Sequence, residues 1–336
     1  MYNVSISPHV RDNSTTKSIM RDVAIALIPV LAFGVYRFGF DALKLIIVSI
    51  VSCVLSELLF ELIAKKPITV FDYSAVVTGM ILAVNLPASA PWWIAVLGSA
   101  FAIIAVKMLF GGIGQNFMNP ALAGRCFLLI SFTSIMNDFS NRGTLLEQFA
   151  AIKANGLSAL VNAPDVVSGA TPLAALKAGE TPDVLTLFLG LHNGCIGEVS
   201  ALAIVIGGLY LVARKVITLR IPLSYIISTI AFVAVINLVK GDELTVTYLA
   251  GQLFSGGLMV GAFFMATDYA TSPITAKGQI VYGIILGFMT ALFRVLGSSA
   301  EGVSYAIIIG NLLVPAIEKL TIPRPFGCEK AKGDAK

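Results

Sequence analysis

Thr171 is the residue best suited to carry a covalent group. It lies in the run DVVSGATPLAALK (165–177), directly before Pro172. Thr as an N-cap with Pro at the first helical position is a strong helix start. PLAALKAG then reads as two turns closed by Gly179, and the same device recurs at Thr181-Pro182. The N-terminus of a helix also offers free N–H groups and the positive end of a dipole, which favour a phosphate. A phosphate esterified to the Thr171 hydroxyl would rest there. Ser168, Gly169 and Ala170 are small and let a modifying enzyme approach the backbone closely. Cap and acceptor are both open readings.

Ionisable groups inside apolar segments are the next candidates, because their burial in a membrane calls for a function. Asp268 stands beside Thr267 and Thr271, an oxygen-rich group able to hold a hard cation or to cap a helix break. Lys107 and Arg125 can bind an anionic or polar group, or snorkel to the interface. Glu57 and Glu61 share a helix face, and Lys65 follows on the same stripe, the pattern of charge pairing at the end of a span. The four cysteines, Cys53, Cys126, Cys195 and Cys328, show no CxxC spacing and read as inert thiols. Two histidines do not supply a His-based metal centre.

The elements that position these residues are membrane helices. The 336 residues are 57% apolar and 12% charged, against roughly 25% charged in a soluble domain. Apolar runs fall near 22–39, 43–64, 74–87, 92–110, 118–135, 196–213, 222–239, 249–267, 278–297 and 303–319. Ten helices of about 20 residues need about 200 residues, close to what the apolar fraction supplies. The polar first 20 residues do not read as a cleavable signal, so the first helix is expected to stay in place. With the N-terminus inside, 14 of the 23 basic residues fall on the inner side, seven outside and two within spans. Both termini are therefore expected in the cytoplasm, with 136–195 outside. The net charge of +4 is spread over loops and calls for no nucleic-acid partner.

The halves echo each other. TGMILAVNLP in the third span parallels GAFFMATDYATSP in the eighth, with Gly79 matching Gly261. Asn85 and Pro87 interrupt the third span, and Asp268 and Pro273 the eighth. Each half closes on a helix holding Asn and Pro: Asn119-Pro120, then Asn311 and Pro315. Five spans per half is odd, so the second copy is inverted. Paired broken helices of this kind place a ligand near the midplane, where half-helix ends present unpaired backbone groups.

Asp165-x-x-Ser168-Gly169-Ala170-Thr171 resembles the acceptor motif of flavin transferase, which links flavin mononucleotide (FMN) to Thr through a phosphoester. SPHVRDNSTTKSIMRDVAIAL, GGIGQNFMNPALAGR, FFMATDYATSP and EGVSYAIIIGN resemble the family of Rnf-complex D subunits. The B subunits of sodium-pumping quinone reductases share several of these motifs. The resemblance runs over about residues 5–325, with Tyr269 standing where the family more often has Pro. It implies a urea-transporter-like fold in a prokaryotic cell membrane, covalent FMN at Thr171 on the outside, and a riboflavin held without a covalent bond. It also implies a complex passing electrons between ferredoxin and NAD, coupled to Na+ or H+ movement. Gly111, Gly112 and Gly114 allow a tight turn before Asn116 and Asn119. Amides there suit the paired edge of a flavin ring, while Asn119 also reads as the cap of the fifth span. In the related reductase, the Asn matching Asn119 lies by a riboflavin.

The expectation is thus an all-α polytopic protein of about ten transmembrane helices in two inverted five-helix repeats. Residues 1–135 form the first repeat, 136–195 the external loop, 196–320 the second repeat and 321–336 a cytoplasmic tail. Expected cofactor contacts are Thr171, Ser168, Gly169, Ala170, Asp165, Asn119, Asn116 and Arg125, with Asp268 and Thr267 as a cation site. The chain lacks nicotinamide-binding glycine fingerprints and Fe–S cysteines, so it holds no catalytic residue of its own. Partner subunits in the membrane, with Fe–S and NAD-binding subunits, must supply both ends of the electron path. The alternative is a small-solute transporter of urea or ammonium type on the same repeat architecture, which has no use for an acceptor Thr. A third reading is a scaffold subunit with the motif unmodified.

Overall fold

The computed structural model describes residues 14–140, 143–155, 171–179, 183–241, 245–297 and 302–323. Among them the protein is all-helical, its sole β-type contact a bridge between Pro87 and Cys195. Five helices are long and apolar enough to cross a membrane: α1 (Thr16–Phe38), α2 (Phe40–Ile63), α11 (Arg220–Lys240), α14 (Ala276–Leu296) and α15 (Val303–Thr321). α12 (Val246–Phe254) and α13 (Leu258–Val260), the latter running on as a π-helix through Met265, make a sixth if counted as one bent span. Shorter apolar helices are α3 (Ser74–Val84), α4 (Trp92–Ala100) with its π-helical continuation to Met108, α5 (Pro120–Ser131) and α10 (Ala201–Ala213).

Local chemistry sets the ends. Thr15 and Ser18 form a reciprocal capping box at the start of α1. Gly39, at φ 69°, is the single residue between α1 and α2. Only glycine takes that conformation without strain, which makes the hairpin this tight. The most extensive helix contact is α11 on α14. A Cβ at Gly283 would lie 2.9 Å from Ser224 Cβ, and one at Gly287 would lie 2.7 Å from the Thr229 nitrogen. Small residues four apart on both helices bring the backbones together, and packing takes the place of the hydrophobic drive that lipid cannot supply.

The third span stops where expected, α3 giving way at Asn85 before Pro87, but the eighth carries a further break that was not expected. The eighth span bends by 58° between Phe254 and Leu258, well before Asp268 and Pro273. Gly256, at φ 61°, permits the bend. Residues 196–200, expected as the start of the sixth span, are not helical. Instead Ile196 N–H donates to Leu86 O (3.0 Å) and Gly197 N–H to Val84 O (2.9 Å). Those carbonyls are freed where α3 stops before Pro87, and inside a membrane they need an internal partner.

The segment expected outside contributes α7 (Leu145–Asn155), α8 (Pro172–Lys177) and α9 (Val184–Leu189), while α6 (Thr133–Met136) falls at the end of the expected fifth span. Gln148 of α7 grips the α1–α2 hairpin, donating to Phe38 O (3.2 Å) and accepting from Phe40 N–H (3.0 Å). Replacing Gly287 by Val should cost roughly 1–3 kcal/mol through overpacking, read as a lower melting temperature in detergent. Ile284→Val, on a 44% exposed position of the same helix, should leave it within error.

Candidate functional site

A cleft of about 790 Å³, counting its open mouth, lies between α1, α3, the Gly-rich turn before α5, and the end of the bent span. Its walls are largely apolar: Val77 and Ile81 of α3, Ile113, and Phe263 and Phe264 of the π-helix. Asn116, Asn119, Thr267 and Asp268 all line it, as do Lys107 and Ser74. Five of the candidate residues read from sequence (Lys107, Asn116, Asn119, Thr267 and Asp268) thus meet at one place, although they come from opposite halves of the chain.

Their roles are not alike. Asn119 is the N-cap of α5: its Oδ1 accepts from Ala121 N–H (3.1 Å) and Leu122 N–H (3.4 Å). Its Nδ2 donates to Met265 O (3.4 Å), across to the other half. The Asn311 amide is best oriented with its oxygen accepting from Asn119 N–H (3.1 Å). Its nitrogen, with two hydrogens to give, then lies within reach of three acceptors, Ile307 O (3.2 Å), Thr271 O (3.1 Å) and the Tyr282 hydroxyl (2.7 Å). The opposite orientation, with Tyr282 donating to Asn311 Oδ1, pairs that oxygen but sets the amide nitrogen against donors, so the first is adopted. Asn119 is therefore committed to bolting the halves together. Asn116 is different: its Oδ1 is buried without a hydrogen-bond partner and faces the cleft. An acceptor left open in an apolar pocket calls for a ligand donor.

Thr267 turns its hydroxyl back onto Phe263 O (2.7 Å) rather than towards Asp268. Asp268 accepts from Thr271 Oγ1 (3.2 Å) and Ala270 N–H (3.5 Å), the geometry of a helix-break cap. No group of three or more His, Cys, Asp or Glu side chains gathers at one point among the described residues. Arg125 does not line the cleft. Buried at 3% exposure, it donates to Asn85 Oδ1 (2.6 Å), Ser304 Oγ (3.1 Å) and Cys195 Sγ (3.5 Å), clamping the end of α3 to α15 and to the 195–197 segment.

Thr171 is the N-cap of α8, its side chain accepting from Ala174 N–H (3.3 Å), and is 8% exposed. Asp165, Ser168, Gly169 and Ala170 lie outside the described residues. α8 rests on the bent span, with Leu176 over Gly251 and Leu173 over Gly256. Lys177 ties it to the end of α14 through Gly297 O (2.9 Å). Burial, then the charges of Lys240 and Arg294, hold that ammonium below the usual lysine range.

One cluster escaped the sequence. Glu57 pairs with Lys107 at 2.7 Å, not with Lys65, and both side chains are buried. Lys65, at φ 53°, has already left the helix. The legible signal was two opposite charges in separate apolar spans. Cys53, Cys126 and Cys195 are buried free thiols, as expected, and Cys328 lies outside the described residues.

Comparison with known proteins decides the lineage. The model of the NQR2, RnfD, RnfE family matches residues 3–327. The chain belongs to this family. Its relatives include the D-type subunit of the Na(+)-translocating ferredoxin:NAD(+) oxidoreductase complex of Acetobacterium woodii, 48% identical over 99% of this chain and 98% of that one. The D-type subunit of the proton-translocating ferredoxin:NAD(+) oxidoreductase complex of Clostridium ljungdahlii is 38% identical over 98% of this chain and 97% of its own. That of the ion-translocating oxidoreductase complex of Actinobacillus succinogenes is 36% identical over 97% and 98%. Family membership and the apolar helices make the chain a multi-pass membrane protein.

For this family member, Asn119→Ala should remove a cap and a tether together and cost about 1–2 kcal/mol, seen as a lower melting temperature. Asn116→Ala removes no bond seen in the structure and should leave stability unchanged.

Proposed function

We propose that the chain is the D-type membrane subunit of an Rnf-like complex that passes electrons between ferredoxin and NAD and couples this to Na+ or H+ transport. Identity of 48% over 99% of the chain to a protein so named carries the reading. Both a sodium-translocating and a proton-translocating complex stand among the relatives, so the coupling ion stays open between them. The transporter alternative is not favoured by any of these names.

The finer architecture belongs to the same proposal: ten spans in two inverted five-helix repeats of urea-transporter type, both termini cytoplasmic and 136–195 outside. Five long helices and the bent pair are long and apolar enough to cross, and ten crossings would need the four shorter apolar helices to serve as well. Asp268 and Thr267 remain a candidate cation site at the cleft's edge, with Thr271 a closer partner to Asp268 than Thr267. Membrane, Fe–S and NAD-binding partner subunits would complete the electron path.

Two flavins are proposed. The cleft fits the ring of a non-covalent riboflavin: its walls are apolar and aromatic, and the open Asn116 Oδ1 can accept from a ring N–H. A flavin there would supply electron transfer, while the chain's residues orient it and exclude water. The second is FMN in phosphoester linkage to Thr171, attached when the hydroxyl attacks the phosphorus of a flavin dinucleotide held by a flavin transferase, with AMP leaving. Thr171 is buried under its own helix cap, so attachment calls for α8 to be lifted from Gly251 and Gly256 while the transferase acts.

Thr171→Ala should insert and assemble yet show no flavin fluorescence in a denaturing gel. The wild-type peptide 165–177 should carry the mass of FMN; an unmodified mass in cells with an active transferase would leave Thr171 as a cap alone. Asn116→Ala should lower extractable riboflavin several-fold, leaving the covalent flavin intact, and an unchanged content would remove Asn116 from the site.

A further inference from the structure

Glu57 and Glu61 lie one turn apart on α2, at 0% and 1% exposure. Glu57 Oε2 meets Lys107 Nζ at 2.7 Å, and Lys107 also donates to Ser74 Oγ (2.6 Å). Thr69 bridges the two carboxylates. Its N–H donates to Glu61 Oε1 (2.9 Å), and its hydroxyl lies 2.5 Å from Glu61 Oε1 and 3.3 Å from Glu57 Oε1. Glu61 Oε2 is buried with no hydrogen-bond partner.

Two counts disagree with what is present. Two buried carboxylates face one ammonium, which leaves a negative charge uncompensated where desolvation is costly. Thr69 Oγ carries one hydrogen but faces two carboxylate oxygens. Neighbouring groups do not make up the difference. Asp72 Oδ1 is taken by Ser74 N–H (2.8 Å) and Ser74 Oγ (2.5 Å). Lys17 sits over the Tyr73 ring and Lys66 over the Phe60 ring. Lys65 is exposed, and Cys53, one turn earlier on α2, adds no positive charge.

We propose that Glu61, with Thr69 and Glu57, binds one monovalent cation, a proton or a sodium ion. A single positive charge removes the deficit, and a divalent ion would reverse it. As a proton it bonds to Glu61 and turns the carboxylate into a neutral acid, completing the hydrogen count around Thr69. As sodium it takes Glu61 Oε2, Thr69 Oγ1 and Glu57 Oε1 as hard oxygen ligands. Ser74 and Lys107 also line the cleft, so filling this site changes the charge next to whatever the cleft holds. The site itself does not rest on the flavin reading, and its test needs no electron transfer.

The test uses the full chain in its assembled complex, wild type against Glu61→Gln. The Gln amide oxygen can still accept from Thr69 N–H, so the fold is expected to hold. Equilibrium binding of sodium-22 should fall by one equivalent in Glu61→Gln if the ion is sodium. In sodium-free buffer, the infrared carbonyl band of a neutral carboxyl should be present in wild type and absent in Glu61→Gln if it is a proton. Thr69→Ala keeps both carboxylates and should weaken the binding about tenfold, with Thr69→Ser restoring it; this pair carries the test should Glu61→Gln not assemble. Identical sodium binding and identical carboxyl bands in wild type and variants would overturn the proposal.

Discussion

Inside a bilayer every backbone polar group released by a broken helix must find its partner within the protein, and this chain breaks helices on both sides of its midpoint. The freed carbonyls at the end of α3 take the N–H groups of Ile196 and Gly197. Those at the bend of the eighth span take a buried guanidinium: Arg294 donates to Gln252 O, Ser255 O (3.0 Å) and Gly256 O (3.0 Å). The start of α5 is served by the Asn119 side chain. The first two solutions borrow a group distant in sequence, so those breaks also fasten one part of the chain to another. The breaks are where the fold is joined as well as where it opens.

What the sequence reveals follows from range. The Asn119-Pro120 cap and the Thr171-Pro172 cap were legible because their partners lie within four residues. Glu57–Lys107 was not, because 50 residues separate the partners and a nearer cation, Lys65, satisfied the helical spacing rule. The bend at Ser255–Gly257 was missed for a related reason. A glycine pair in an apolar run is equally suited to close packing, as at Gly283 and Gly287, whereas Asp268 and Pro273 look like stronger interruptions. Arg125 was expected at a cofactor because a charge within a span suggests one; its partners Asn85, Cys195 and Ser304 come from three separate segments and leave no local trace.

The paired motifs of the two halves were visible in the sequence, but the contact between them was not. Asn119 and Asn311 looked like equivalent residues at matching places. In the structure they touch, the Asn311 amide taking the Asn119 N–H. Met265 O accepts from the Asn119 side chain, so the cleft's polar end is built at the seam between halves. A site at such a seam draws its walls from both halves of the chain, which is why Asn116 and Asp268 line one cavity despite lying more than a hundred residues apart.

The bent span also relates the cleft to the Thr171 helix. Gly251 and Gly256 lie beneath Leu176 and Leu173 of α8, while Phe263 and Phe264 form part of the cleft wall. From Gly251 to Phe264 a straight helix would rise about 20 Å, and a 58° bend shortens this further. That is less than the roughly 30 Å of a bilayer's hydrocarbon core. One broken span thus brings an element packed on one of its halves within reach of a cavity on the other. Under the proposed function, the remaining gap is what a further carrier, or a partner protein seated against this chain, has to bridge.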